Sequence, residues 1–454
     1  MTPLWSSTEI ALATQGRASD HFDVSGVAFD SREVGQGDLF IALQGETTDG
    51  HRFVDQAFAQ GAAGVIVSQP VAGPHVQVDN TGRALNALGA SARQRARGKI
   101  IGVTGSVGKT SVKEALFAAF DRAAPGKAHR SLKSYNNHVG VPLSLARMPR
   151  DTRFGIFEMG MNHAGELAAL TGLVRPHVAL VTTVALAHGA FFADESAIAD
   201  AKGEIFRGLQ PGGTAVIPYD SPHRERLIAA AMAYAGQIVT FGRDRRADVH
   251  AREGLPGPRG TFVQARLRNS EMSFTVGPPG DHWITNALAV LAVVEAAGGD
   301  LAAAGLALAD MPGLPGRGQR ITIHLEGGDA LLIDEAYNAN PASMRATLAM
   351  LGHERGRKVA ILGAMRELGP EEARHHAALA EPILAAGVDL ALLVGTEMKP
   401  LAEALEGKVE FVHVPDAAAA ADQASRLIAP GDAVLVKGSN SVGLAGVVNA
   451  LAGG

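Results

Sequence analysis

The stretch Lys99-Ile-Ile-Gly-Val-Thr-Gly-Ser-Val-Gly-Lys-Thr-Ser111 decides the fold of this chain, and the helical stretch Val112–Phe120 follows it directly. An apolar run, a glycine-rich turn and a helix in this order predict a buried strand, a phosphate-binding loop and the helix that follows it. Successive backbone N–H groups and the helix N-terminus can surround phosphate oxygens in such a loop. We therefore expect Lys109 to reach the terminal phosphates of a nucleoside triphosphate and Thr110 to offer its hydroxyl to Mg²⁺.

The strict pattern G-x-x-x-x-G-K-[ST] fails at its first position, which is Val103. Gly102 and Gly105 supply turn flexibility instead. The alternative is an ordinary glycine-rich turn, but a Gly-Lys-Thr-Ser helix start after an apolar strand favours phosphate binding. The residues expected to hold the nucleotide here are Thr104, Gly105, Ser106, Val107, Gly108, Lys109, Thr110 and Ser111. GTPases, kinases and ligases all use such a loop, so it does not name a reaction.

Short runs of β-branched residues alternate with alanine- and leucine-rich helical stretches along the rest of the chain, which predicts α/β domains with parallel sheets. A Pro/Gly segment at 71–80 and a Pro/Gly-dense connector at 311–319 suggest two boundaries. We expect a small mixed α/β domain at 1–80 and a central domain with the phosphate loop at 81–312. A Rossmann-like domain is expected at 313–454. Shorter strands at 262–267 and 272–276 predict an antiparallel flank on the central sheet.

Composition narrows the class of protein. The chain has 454 residues, with 46% hydrophobic residues, 19% charged residues and a formal net charge of −5. This balance gives no basic footprint for nucleic acid or for an anionic membrane surface. The absence of cysteine excludes disulfides, cysteine–zinc sites and thiol catalysis. No apolar run reaches the ~18 residues of a membrane span. We expect a cytoplasmic protein that acts as a monomer.

Four further residues invite a functional interpretation, each with a plainer alternative. Glu158 ends the strand Phe154–Glu158 and suits Mg²⁺, although such an acid also caps helices or lies on the surface. His188 follows another buried strand and could contact metal or phosphate, but a single histidine there is more often structural. Lys202 lies on a predicted helix, where a solvated lysine is the default. Asp334 ends a strand and could hold ribose hydroxyls or cap the next helix.

Taken together, the motifs resemble those of the Mur ligases, ATP-dependent enzymes that form amide bonds in peptidoglycan synthesis. The resemblance covers essentially the whole chain in order. It is carried by Val103–Ser111, Glu158-Met-Gly, His188, Ala201-Lys-Gly-Glu204, His282-Trp-Ile-Thr-Asn286, Gly316-Arg317 and Asp334-Glu-Ala-Tyr-Asn338. The second acid of the last motif, Glu335, departs mildly from the family pattern.

Other motifs narrow the resemblance to the member of the family that adds D-alanyl-D-alanine to UDP-N-acetylmuramoyl-tripeptide through an acyl phosphate. These motifs are Phe29-Asp-Ser-Arg32, Gly37-Asp-Leu-Phe40, Asp49-Gly-His-Arg-Phe53, Ser134-Tyr-Asn-Asn137, Tyr337-Asn-Ala-Asn-Pro341 and Lys437-Gly-Ser439. The sequence leaves open whether the tripeptide ends in lysine or in diaminopimelate. Another family member, such as the ligase adding the third residue or a folate polyglutamate ligase, is the nearest alternative. A GTPase would need an Asn-Lys-x-Asp run, which the chain lacks. A noncatalytic nucleotide-binding module would tolerate loss of Glu158, His188 and Lys202, and this chain has all three.

The resemblance also implies roles for individual residues. Lys109, His188, Lys202 and Arg317 would serve catalysis, and Thr110, Glu158, His188 and Lys202 would serve two Mg²⁺ sites. Lys202 would be carboxylated on its side-chain nitrogen, because CO₂ adds to a neutral amine to give a carboxylate that binds Mg²⁺. The nucleotide would contact Asn286, Arg317, Asp334 and Asn338. The UDP-linked tripeptide would contact Ser31, Arg32, Asp49, His51, Asn136 and Asn137.

Overall fold

The computed structural model describes residues 3–45, 48–185, 192, 194–257, 260–278 and 280–453. Three successive regions of the chain each build a mainly parallel sheet flanked by helices. The α/β class, the antiparallel flank on the central sheet and the parallel third sheet are confirmed.

The N-terminal region holds a five-stranded sheet in the order β2-β7-β6-β5-β4 and a separate two-stranded β1–β3 pair. Strands β4 to β7 pair in parallel, and β2 joins the edge antiparallel to β7. The elements are β1 (Trp5–Ser6), α1 (Ser7–Thr14), β2 (Arg17–Ala18), β3 (Asp23–Val24), β4 (Gly26–Ala28), β5 (Asp38–Ile41), α2 (Val54–Ala59), β6 (Gly64–Val67), β7 (His75–Gln77) and α3 (Thr81–Arg95).

The central region holds a nine-stranded sheet in the order β16-β15-β14-β13-β12-β11-β8-β10-β9. Strands β8 to β14 pair in parallel, and β15 and β16 complete the sheet as an antiparallel flank. The elements are β8 (Lys99–Thr104), α4 (Lys109–Ala123), β9 (Ala128–Arg130), α5 (Gly140–Ala146), β10 (Phe154–Glu158), α6 (Glu166–Val174), β11 (Val178–Val181), α7 (Glu195–Gly203), β12 (Thr214–Pro218), α8 (Arg224–Met232), β13 (Gln237–Gly242), β14 (Val249–Gly257), β15 (Gly260–Arg266), β16 (Glu271–Val276), α9 (Asp281–Ala296) and α10 (Leu301–Asp310).

The C-terminal region holds a six-stranded sheet in the order β17-β18-β22-β19-β20-β21, parallel except for the edge strand β17. The elements are β17 (Gln319–Leu325), β18 (Gly328–Glu335), α11 (Pro341–Gly352), β19 (Lys358–Gly363), α12 (Glu372–Ala377), α13 (Ala380–Ala385), β20 (Leu390–Val394), α14 (Lys399–Leu405), β21 (Glu410–Val414), α15 (Ala417–Leu427), β22 (Ala433–Lys437) and α16 (Ala445–Ala452).

The buried helix α9 explains how the central sheet presents its phosphate loop. Residues Ala287 to Val294 of α9 are all at most 1% exposed, and they pack with β8, β11 and α4 in one apolar cluster. A helix that is apolar all round is expected in the interior of a large domain. Helix α9 therefore holds α4, whose N-terminus closes the phosphate loop, rigidly against the sheet.

The N-terminal region is fixed to the central region by polar contacts around Trp5. The Trp5 indole Nε1 donates to the Ala146 carbonyl of the central region at 2.9 Å, and its ring is held from within the N-terminal region by the Arg95 guanidinium of α3, 3.7 Å from the ring centroid. Arg150 Nη2 pairs with the Glu9 carboxylate at 2.6 Å. A buried indole N–H needs such a partner, and the cation–π contact adds about 0.5–2 kcal/mol. These contacts orient the first sheet relative to the phosphate loop.

Within the described ranges, no helix combines the length and the apolar composition that crossing a bilayer requires.

Candidate nucleotide and acyl-transfer site

The phosphate loop has the geometry that its sequence predicts. It leaves β8 at Thr104, passes through Gly105 at φ 150° and Gly108 at φ 87°, and enters α4 at Lys109. A Cβ atom on Gly105 would lie 1.9 Å from Thr182 Oγ1, so only glycine fits this turn without a shift of its neighbours. The loop thus brings its N–H groups and the N-terminus of α4 to one edge of the sheet.

The segment after β11 holds this loop in shape. The N–H of Ser106 donates to the Thr183 carbonyl at 2.9 Å, and Ser106 Oγ donates to the Ala185 carbonyl at 2.8 Å. Thr182 Oγ1 donates to the Val107 carbonyl at 2.6 Å. These bonds fix the loop before any ligand binds, which lowers the entropy cost of binding phosphate.

Glu158 lies beside the phosphate loop because β10 pairs in parallel with β8, which places Glu158 opposite Val103. Its side chain is 1% exposed and accepts from Thr110 Oγ1 at 2.8 Å and from Asn136 Nδ2 at 2.9 Å. Ser134 Oγ lies 3.4 Å from Thr110 Oγ1. A buried carboxylate, a hydroxyl and an amide therefore meet at the N-terminus of α4.

These oxygens suit Mg²⁺, which protein sites typically hold through one or two carboxylates together with substrate phosphates and water. The Thr110 hydroxyl and the Glu158 carboxylate are 2.8 Å apart, next to the loop where a triphosphate would lie. The described residues contain no group of three or more His, Cys, Asp or Glu side chains able to hold a metal by themselves. The donor set fits an ion that is shared with the nucleotide.

Two lysines expected at the site lie in desolvated surroundings: Lys109 is half-buried beside the phosphate loop, and Lys202 is buried in α7. Lys109 Nζ donates to the Gly105 carbonyl at 2.7 Å, and burial, together with the charge of Arg317, lowers the pKa of Lys109. Lys202 in α7 is 2% exposed, and burial lowers its pKa well below the ordinary value, with a further contribution from Lys109. Desolvation thus lowers the pKa of both amines, while the Glu158 carboxylate acts in the opposite direction on Lys109.

The connector and the end of β18 bring the C-terminal region to the site. The Arg317 guanidinium lies 4.2 Å from the centroid of the Tyr337 ring. Asp334 accepts from the N–H of Gly316 at 2.6 Å and from that of Ala336 at 3.0 Å, and burial raises its pKa. Asp334 thus holds the connector turn that presents Arg317, in addition to any contact that it makes with a ribose.

One cavity of about 760 Å³ lies between the central region and the C-terminal region. Of the expected site residues, its lining includes Ser106, Val107, Gly108, Lys109, Thr110, Ser111, Asn136, Glu158, Asn286, Arg317 and Asn338. The cavity runs from the phosphate loop to Glu158, so a phosphate-bearing ligand on the loop and a second ligand beside Glu158 would share this space. The cavity size and its position at the carboxyl ends of two parallel sheets are typical of ligand sites.

The remaining expected residues lie elsewhere or have different contacts. Asn137 accepts from the N–H groups of Val139 and Gly140 and so fixes the start of α5. His188 lies outside the described residues.

The four expected substrate residues of the first region are held by neighbouring side chains. Ser31 Oγ donates to Gln56 Oε1 at 3.0 Å, and Arg32 pairs with Asp30 at 2.6 Å. Asp49 Oδ1 lies 2.6 Å from His51 Nδ1. Their contacts order the two loops at the ends of β4 and β5.

Sequence reasoning missed several residues of the cavity. Trp283, Tyr337 and Ser439 line it, although the sequence analysis used them only as parts of motifs. It also missed Lys113, which is fully buried and ion-paired with Glu158 at 3.6 Å. The available signal was helical spacing, because Lys113 follows Lys109 by four residues and so lies on the same face of α4.

Comparison with known families places three models along the chain. The family model described as the Mur ligase middle domain matches residues 103–294. The model described as the Mur ligase, glutamate ligase domain matches residues 316–440. The model described as the Mur ligase family, catalytic domain matches residues 23–84.

Individual proteins match over almost the full length. The UDP-N-acetylmuramoyl-tripeptide–D-alanyl-D-alanine ligase of Escherichia coli is 35% identical, covering 94% of this chain and 93% of its own. The ligase of the same name from Synechocystis is 34% identical, with 98% and 95% covered. A crystal structure of MurF from Acinetobacter baumannii superposes with a TM-score of 0.85 at 31% identity, covering 99% of both chains. MurF from Thermotoga maritima, solved in complex with ADP, gives a TM-score of 0.78 at 25% identity, with 94% and 97% covered.

Proposed function

The chain belongs to the Mur ligase family, and we propose that it joins D-alanyl-D-alanine to UDP-N-acetylmuramoyl-tripeptide while ATP is converted to ADP and phosphate. One observation carries the proposal: a phosphate loop, a buried carboxylate and cations of two regions line one cavity in a chain that resembles such ligases along its whole length. We also propose that the enzyme acts in the cytoplasm as a monomer.

The first step is activation of a carboxylate. An oxygen of the tripeptide's terminal carboxylate attacks the γ-phosphorus of ATP, the bond to the bridging oxygen breaks, and ADP leaves. Positioning and electrostatics carry phosphoryl transfer more than covalent help does. The phosphate loop holds the triphosphate, and Asn136 lies within 2.9 Å of Glu158 at the place where the attacking carboxylate would approach.

Cations must offset the repulsion between the carboxylate and the triphosphate. Lys109 of the central region and Arg317 of the connector both line the cavity, so an anion bound there would meet cations from both regions. Two fixed cations beside a developing negative charge typically change a rate by orders of magnitude. Mg²⁺ held by Thr110 and Glu158 would neutralise the phosphate oxygens.

The second step forms the amide bond. The neutral amine of D-alanyl-D-alanine attacks the acyl carbon, phosphate leaves with the former carboxylate oxygen, and the nitrogen loses a proton. Water would destroy the acyl phosphate, so the cavity must close during the reaction. Arg317 and Asn338 belong to the C-terminal region, and movement of that region would close the cavity over the phosphate loop.

Lys202 would complete the metal site as a carbamate. Burial lowers the pKa of Lys202, so more of its amine is neutral and able to add CO₂. The resulting carboxylate would lie close to Lys109, which would offset its charge. His188 is proposed as a partner of the same metal site on the strength of the resemblance alone.

The test is a reconstituted reaction. Purified protein with ATP, Mg²⁺, UDP-N-acetylmuramoyl-tripeptide and D-alanyl-D-alanine should release one phosphate for each pentapeptide formed. Lysine- and diaminopimelate-containing tripeptides are assayed separately. In one reaction glutamate replaces D-alanyl-D-alanine, which tests whether the enzyme instead uses the amine substrate of a folate polyglutamate ligase. Phosphate release that requires glutamate but not D-alanyl-D-alanine would contradict the proposal.

A further inference from the structure

Lys113 is a fully buried lysine on the second turn of α4, and the reaction outlined above does not use it. Its Nζ lies 2.5 Å from the Lys133 carbonyl oxygen, 3.2 Å from Glu114 Oε1 and 3.6 Å from Glu158 Oε2. The ammonium donates to the Lys133 carbonyl, and the Glu114 and Glu158 carboxylates lie at ion-pair distance from it. Burying a charge is costly unless it is paired, and these three contacts offset the cost of burying Lys113.

The Lys133 carbonyl belongs to a segment under strain. Lys133 has φ 50°, a left-handed conformation that a residue with a side chain adopts only at a cost. Its side chain pairs with Glu33 in the N-terminal region, and Tyr135 donates its hydroxyl to the same Glu33 at 2.9 Å. The segment 131–137 is thus attached to the N-terminal region by side chains and to α4 by the carbonyl that Lys113 holds.

The same segment carries the groups that face the reacting carboxylate. Ser134 and Asn136 line the cavity, and Asn136 Nδ2 donates to Glu158 Oε1. Lys113 therefore has two contacts around this segment. It holds the Lys133 carbonyl just before Ser134, and it pairs with Glu158, the carboxylate to which Asn136 donates.

We propose that Lys113 is a positioning residue for the tripeptide substrate. Its ammonium fixes the Lys133 carbonyl, which keeps Ser134 and Asn136 in place beside Glu158, so that the peptide end of the substrate meets a formed site. This inference rests on the proposed function, because it names the residue that orders the substrate side of that site. Among the described residues, the Lys113 ammonium contacts the Lys133 carbonyl and the carboxylates of Glu114 and Glu158, so it acts on the substrate only through these groups.

A simpler role would be neutralisation of the buried Glu158 carboxylate. The two roles are separable, because Glu158→Gln removes the charge that needs a partner while preserving the shape of the side chain. In that background Lys113 has no Glu158 charge to neutralise, but its bond to the Lys133 carbonyl is unchanged. The double variant also removes both members of the buried pair, which avoids leaving an unpaired charge and protects folding.

The experiment measures binding by isothermal titration calorimetry in full-length protein saturated with the ATP analogue AMP-PNP. The probes are the lysine and diaminopimelate forms of UDP-N-acetylmuramoyl-tripeptide. Glu158→Gln is compared with Glu158→Gln/Lys113→Met, and the matched control is Glu158→Gln/Lys127→Met, which removes an exposed lysine paired with Asp151. ADP affinity is measured for every variant.

We expect the Lys113 double variant to bind the tripeptide at least about tenfold more weakly than Glu158→Gln, a difference of about 1.4 kcal/mol. Its ADP affinity and the tripeptide affinity of the Lys127 control should stay within about threefold of the Glu158→Gln values, well below that difference. Equal tripeptide affinity in the presence and absence of Lys113, or parallel loss of ADP binding, would overturn the positioning role. Wild-type protein that binds neither tripeptide would instead overturn the proposed function, and this inference with it.

Discussion

Replacement of Gly105 by alanine should damage the phosphate loop far more than a similar replacement elsewhere. The added Cβ would lie 1.9 Å from Thr182 Oγ1 and 3.1 Å from the Thr183 nitrogen, at a φ of 150°. The backbone conformation alone costs roughly 1–3 kcal/mol for a residue with a side chain. Rotation of Thr182 away from the new methyl group would break its bonds to the Val107 and Thr104 carbonyls. At about 1 kcal/mol for each bond, the total is about 3–5 kcal/mol.

The loop can relieve this strain by moving, and a shift of about 1 Å at a catalytic site can reduce the rate about 100-fold. We therefore expect Gly105→Ala to lower kcat/KM for ATP by about two orders of magnitude. The matched control is Gly126→Ala, a left-handed glycine at φ 69° with no atom within 4 Å of the added Cβ. It should lose about 1–2 kcal/mol of stability and little activity. Steady-state kinetics, ADP titration and thermal unfolding measure these effects. If kcat/KM for ATP in Gly105→Ala stays within about threefold of the wild-type value instead of falling about 100-fold, the proposed role of Gly105 is wrong.

Three further predictions concern neighbouring parts of the site. Asn136→Ala removes a bond to Glu158 and should raise KM for the UDP-tripeptide. Asn137→Ala loses its bonds to the start of α5 and should mainly lower stability, by about 1 kcal/mol. Equal increases in KM for the two variants would contradict these different contacts. Nucleotide binding should change the fluorescence of Trp283, which lines the cavity, so the change should survive Trp5→Phe and disappear in Trp283→Phe. Because burial lowers the pKa of Lys202, ¹³C-bicarbonate should give a carbamate signal in wild type but not in Lys202→Ala. Acidification should remove that signal, because the Lys202 amine takes up a proton and releases CO₂. Wild-type protein that shows no ¹³C carbamate signal would exclude the carbamate.

The strands with continuous apolar runs were predictable from the sequence. The expected strands 99–104 and 154–158 coincide with β8 and β10. Apart from Lys99, which is exposed at the start of β8, their residues are buried, and burial on both faces of a parallel sheet selects mostly apolar side chains. Short or edge strands such as β2 and β9 escaped prediction, because two or three half-exposed residues carry no periodic signal.

The candidate site was predictable where chemistry follows directly from a motif. The loop from Gly105 to Ser111 lies beside Glu158, the acid at the end of β10. This follows because β8 and β10 are parallel neighbours, so their carboxyl ends meet at the same edge of the sheet. The different contacts of Asn136 and Asn137 were not predictable, since they depend on how the segment 131–137 turns through the left-handed Lys133. Lys113 was hidden for a similar reason, because a lysine on a helix is normally solvated and only the tertiary structure buries this one.

The central claim is that ATP activates a carboxylate that then joins D-alanyl-D-alanine. Its most direct test uses UDP-N-acetylmuramoyl-tripeptide labelled with ¹⁸O in both oxygens of its terminal carboxylate, followed by mass spectrometry of the products. One labelled oxygen should appear in the released phosphate and the other in the new amide of the pentapeptide. Phosphate without the label, in a reaction that still forms pentapeptide, would contradict the acyl-phosphate route and the account of the site built on it.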